Sequence, residues 1–110
     1  MARDTTPAQL RRPNDPWLLI LTSLADGPKH GYALSKDIEH FAGVTLSPGT
    51  LYGAITRLEE RGLIAPDPEV RRRRPYRITA AGSAALAEVV AEMSRIARVG
   101  TQRLAAGGVA

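Results

Sequence analysis

Arg71, Arg72, Arg73 and Arg74 are followed, after Pro75 and Tyr76, by Arg77, which puts five guanidinium groups into seven residues. A guanidinium is planar, permanently charged and forked, so it fits a phosphate or the major-groove edge of a guanine. The chemistry on offer is polyanion binding. Residues 1–14 carry +2, residues 15–70 carry −4, residues 71–77 carry +5 and residues 78–110 carry +1, on a chain of 110 residues with net charge +4. One heptapeptide therefore supplies more than the whole excess, a concentration that points to a located anion contact, the plainer reading being a solvated basic loop.

Other chemistry is poorly provided for. The chain has no cysteine, which excludes disulfides, thiolate metal sites, Fe–S clusters and cysteine nucleophiles. His30, Asp37, Glu39 and His40 are potential metal ligands, but Asp37 and His40 at i, i+3 find no second His–carboxylate pair to complete a site. His30 is read instead as fixing the turn before a helix. No nucleophile motif surrounds any Ser or Thr, and Gly49-Thr50 is not a phosphate loop. We therefore expect no catalytic residue, no metal, no cofactor and no enzyme activity. Neither a membrane-length apolar run nor a signal-like N-terminus is visible, so the expectation is a soluble, cytoplasmic protein without a membrane partner.

The elements that would position the arginines can be read from caps and periodicity. Residues 1–14 are polar and aperiodic, as expected of a flexible arm. Asp15-Pro16 starts a helix by capping free N–H groups and placing proline at its first position. The run from Trp17 to Ala25 is apolar nearly all round and belongs in a core. A second helix is expected from His30 or Gly31 to Phe41, with Ala33, Leu34, Ile38 and Phe41 on one face. Ser47-Pro48 repeats the cap-plus-proline start for a third helix, with Leu51, Ile55 and Leu58 as its buried stripe and Gly62 as its stop. Leu63-Ile64-Ala65 and Tyr76-Arg77-Ile78 read as a two-stranded hairpin with an arginine-rich tip. Thr79 caps a last helix over residues 80–106, leaving 107–110 as a flexible tail. Its seam of Leu86, Val89, Val90, Met93, Ile96, Ala97 and Leu104 keeps close to a coiled-coil repeat. At ~1.5 Å per residue that helix is about 40 Å long, more than so small a domain covers, so the seam is expected to be a dimer interface.

This order, mainly α with a small β-hairpin, is that of a winged helix-turn-helix (residues 15–79) followed by a long C-terminal dimerisation helix. In such a unit the third helix enters the major groove of DNA. Away from its apolar stripe lie Gly49, Thr50, Gly53, Thr56 and Arg57, with Tyr52 on the flank. Small residues permit close approach, the hydroxyls of Ser47, Thr50 and Tyr52 suit phosphate, and Arg57 alone has the fork to read guanine.

The residues also resemble a known family. Leu19-Ile20-Leu21 with Gly27-Pro28-Lys29-His30-Gly31-Tyr32, Leu46 through Tyr52 (LSPGTLY), Leu58 through Ile64 (LEERGLI) and Tyr76 through Gly82 (YRITAAG) are similar to the PadR family of bacterial transcriptional regulators, in its subgroup with a single short C-terminal helix. The resemblance covers roughly residues 17–86. It implies a homodimer that represses by binding a pseudo-palindromic operator in double-stranded DNA, released by a small-molecule effector or a stress signal. By the same resemblance Tyr32 and Lys36 on the second helix join Ser47, Gly49, Thr50, Tyr52 and the wing arginines as DNA-facing residues. The chain departs from the family pattern at Gly53, where proline is usual, at Pro75, and in having no aromatic residue after Tyr76. The last departure leaves Trp17 as the candidate ligand-site residue. The competing reading is a winged helix that docks protein or RNA without operator specificity; the concentrated charge of the wing and the scarcity of aromatics for base stacking argue against it.

Overall fold

The computed structural model describes residues 6–108. Asp15 accepts a hydrogen bond from the backbone N–H of Trp17 at 2.9 Å and opens α1, Pro16–Leu24. All but Pro16 and Thr22 of this helix are buried, so α1 forms the centre of the core. Helix α2, Gly31–Ala42, begins at a cap that is a histidine: Nδ1 of His30 accepts from the N–H of Ala33 at 3.3 Å. It stops at Gly43, whose φ of +68° only glycine adopts without cost. Helix α3, Pro48–Glu60, starts on Ser47, whose Oγ accepts from the N–H of Thr50 at 3.2 Å. Helix α4, Ala80–Gly107, starts on Thr79 and runs through Gly107, just beyond the expected end.

The wing is a three-stranded antiparallel sheet where two strands were expected. Strand β3, Pro75–Ile78, lies between β1, Lys29–His30, and β2, Ile64–Pro66. Lys29 pairs with Tyr76 and His30 with Pro75 on one side, Ala65 with Arg77 on the other. At two residues β1 is too short for any periodicity to show, and it joins the helix-turn-helix directly to the wing. Pro75, which has no N–H to give, stands at the first residue of its strand, where proline is tolerated.

Three further expectations need correction. Phe41 is 44% exposed, and Ala42, one step round the helix, packs against the core in its place. The supposed arm is structured in part: residues Ala8–Arg11 form a 3-10 turn whose Leu10 is fully buried, while residues 1–5 lie outside the described part. Leu86 and Val89, expected at a dimer interface, are buried in the chain's own core, 8% and 1% exposed. Met93, half-buried, still packs against the core, while Val90, Ile96, Ala97 and Leu104 are exposed.

Two close approaches hold these elements. A Cβ on Gly82 would stand 2.0 Å from the carbonyl oxygen of Leu63, so only glycine lets α4 start against β2. Thr79 fixes the same corner, its N–H donating to Leu63 O at 3.1 Å and its Oγ1 to Gly62 O at 2.7 Å.

Candidate nucleic-acid interface

Helix α3 buries Leu51, Ala54, Ile55 and Leu58, and this stripe decides which residues face away. Gly49, Thr50, Tyr52, Gly53, Thr56 and Arg57 are all exposed. A Cβ at Gly49 or at Gly53 would meet nothing within 4 Å. Nothing inside the molecule therefore requires glycine at either position, although glycine within a helix costs about 1 kcal/mol relative to alanine. The hydroxyl of Ser47 donates to that of Thr50 at 2.9 Å, and Thr56 Oγ1 donates to the carbonyl of Tyr52 at 3.0 Å. These hydroxyls are held in place with acceptor capacity still facing out.

On the flank toward the wing, His30, Tyr32, Tyr52, Arg72, Arg73 and Arg74 line one concavity of about 300 Å³. The ring of Tyr52 lies over Gly31, where an added Cβ would stand 2.3 Å from its hydroxyl oxygen. Lys36 Nζ lies 5.7 Å from the centroid of the Tyr32 ring and 3.8 Å from Glu39. Tyr76 closes the same concavity from the sheet; burial above all, then the nearby Glu59 carboxylate, raises its phenol pKa above the ordinary value. Residues of α2, α3 and the wing that the sequence could only assign separately are thus on one surface.

The four arginines of the tip are not equivalent. Val70 and Arg73 exchange both backbone hydrogen bonds, at 2.8 and 2.9 Å, and enclose Arg71 and Arg72 in a two-residue turn. Both central residues have positive φ, +51° and +65°, the geometry of a type I′ turn that asparagine and glycine normally occupy. Arg73 Nη1 lies 3.2 Å from Nε2 of His30, and Arg74 Nη1 donates to the carbonyl of Asp67 at 2.6 Å. Arg77 pairs with the Asp67 carboxylate at 3.0 Å. Arg71 and Arg72 are exposed and, among the described residues, have no such partner.

On the opposite flank of α3, two adjoining concavities of about 330 and 600 Å³ share Gln9, Trp17, Gly53 and Arg57. Trp17 is only 7% exposed, and the guanidinium of Arg61 lies 5.6 Å from its ring centroid. Most of the indole is therefore packed, and an edge borders the groove. The metal-ligand candidates are placed otherwise: Asp37 accepts from the buried Ser23 hydroxyl at 2.6 Å, His30 caps α2, and no metal-holding cluster occurs among the described residues. Sequence reasoning missed Gln9, Gly31, His30 and Tyr76 as parts of this surface. Only Gly31, a glycine at a helix start, carried a local signal of close approach.

Residues 20–88 match the family described as Transcriptional regulator PadR-like family. The chain belongs to that family. It is 42% identical over 84 residues to Transcriptional regulator Rv3488 of Mycobacterium tuberculosis, covering 74% of this chain and 78% of that protein. It is 46% identical over 85 residues to an uncharacterized 37.1 kDa protein of transposon TN4556 from Streptomyces fradiae. That match covers 77% of this chain but spans only a quarter (25%) of the Streptomyces protein's length. Among solved structures, a PadR family transcription regulator from Clostridium difficile R20291 superposes with a TM-score of 0.71 at 26% identity, over 81% of this chain and 97% of that one. The PadR-like assignment makes the chain a transcriptional regulator with a winged-helix fold. No described helix is long and apolar enough to cross a membrane.

Proposed function

We propose that this chain is a homodimeric repressor that binds a pseudo-palindromic operator in double-stranded DNA. Helix α3 enters the major groove, with Gly49, Thr50, Gly53 and Thr56 against the base edges and Arg57 reading guanine. Tyr32, Lys36, Ser47 and Tyr52 take the flanking phosphates, and Arg71 to Arg74 take the backbone or minor groove beside them. The observation that carries this reading is the shared concavity of His30, Tyr32, Tyr52 and Arg72 to Arg74, which makes helix-turn-helix and wing one cationic, hydroxyl-bearing surface. The open space over Gly49 and Gly53 supports it, because it leaves room for a base edge to approach the helix backbone.

The partner in the homodimer is proposed at the part of α4 that its own chain leaves uncovered, where Ile96 is 70% and Leu104 64% exposed. Two recognition helices so joined would reach successive major grooves, about 34 to 36 Å apart. Release by a small-molecule effector belongs to the same proposal, with the groove edge of Trp17 as the aromatic surface offered to it. The test is a selection from a randomised duplex library with the full chain. A two-fold symmetric motif with half-sites about one helical turn apart is expected; enrichment of no sequence above background would overturn the reading.

A further inference from the structure

Residues 6–11 precede the stretch that matches the family, residues 20–88, yet they are built into the domain. Leu10 is fully buried, its N–H donating to Pro7 O at 3.1 Å to close the turn. Two side chains of this segment reach α4: Thr6 Oγ1 donates to Glu88 at 3.2 Å, and Arg11 forms an ion pair with Glu92. In a 3-10 turn successive side chains point about 120° apart. With Leu10 directed into the core and Arg11 toward α4, Gln9 is left for a third direction. It lines both concavities beside α3, together with Gly53 and Arg57.

A planar amide is thereby set beside the one helix flank where glycine has withdrawn its side chain. The glutamine amide carries a donor and an acceptor side by side, complementary to N7 and N6 of adenine in the major groove, as the arginine fork is to guanine. We propose that Gln9 is a further sequence-reading residue, recognising adenine next to the base read by Arg57, and that Thr6 and Arg11 are positioning residues that hold it there from α4. This rests on α3 being the major-groove helix. It also gives α4 a physical connection to the DNA-reading surface within one chain, since Glu88 and Glu92 are the anchors.

The experiment is the same duplex selection, run with wild type, Gln9→Ala, Gln9→Glu and Glu92→Gln, with thermal unfolding of each. Gln9→Ala should lose an adenine preference at one position of each half-site, about tenfold in discrimination, and keep the remaining motif. Gln9→Glu should turn that position toward cytosine, whose N4 donates to a carboxylate. Glu92→Gln should weaken the same position without touching the others. An unchanged motif for Gln9→Ala overturns the proposal while leaving the operator reading intact. So does a uniform loss on all sequences with a lowered unfolding midpoint, which would make Gln9 structural. A wild type that selects nothing overturns both.

Discussion

Arg71 and Arg72 sit in backbone conformations that L-residues avoid, φ +51° and +65°, at a cost of roughly 1 kcal/mol each. A turn made for stability alone would carry asparagine and glycine here. The double variant Arg71→Asn, Arg72→Gly should therefore raise stability by about 1–2 kcal/mol in denaturant unfolding while weakening duplex binding. Unchanged affinity would show that the two side chains do not reach DNA. Gly82 presents the opposite case, because an added Cβ would meet the backbone oxygen of Leu63, which cannot swing aside. Gly82→Ala should cost about 2–3 kcal/mol, read from the same unfolding curves. At Gly31 the obstacle is the Tyr52 ring. Gly31→Ala should displace that ring and lower duplex affinity by more than it lowers stability, as titrations and melts side by side would show.

Among the elements, those announced by a cap were legible. Asp15, Ser47 and Thr79 each accept the expected backbone N–H, and the helices they start follow the apolar spacing of the sequence. Strand β1 was not legible, because two residues show no alternation and their pairing with β3 bridges some forty-five positions of chain. The 3-10 turn at Ala8–Arg11 was hidden for a similar reason: its single buried residue, Leu10, makes no pattern. On α4 the two ends of the expected repeat have different fates, since Leu86 and Val89 serve the core while Ile96 and Leu104 do not. A truncation before Leu86 would therefore damage the fold as well as any interface. Ile96→Glu with Leu104→Glu is the cleaner test of the proposed homodimer. Sedimentation should show a monomer with an unchanged melting transition, and a persistent dimer would place the interface elsewhere.

At the scale of the whole molecule, the mild +4 of the sequence is an acidic helical body with a basic edge. Arg74 donates to the Asp67 carbonyl and Arg77 pairs with the Asp67 carboxylate, so part of the wing's charge holds the wing itself together. Arg71 and Arg72 stand at the exposed tip of the turn, foremost among the arginines offered to a polyanion. Each phosphate they neutralise releases counterions and adds about 0.9 to the log–log salt slope of binding. The measurement that bears most directly on the account is this slope, for the full chain on its selected duplex, before and after Arg71→Ala with Arg72→Ala. A loss of about 1.8 per wing, and about 3.6 for a dimer with both wings engaged, is the predicted result. A slope unchanged by the two substitutions would contradict the wing's place in the interface.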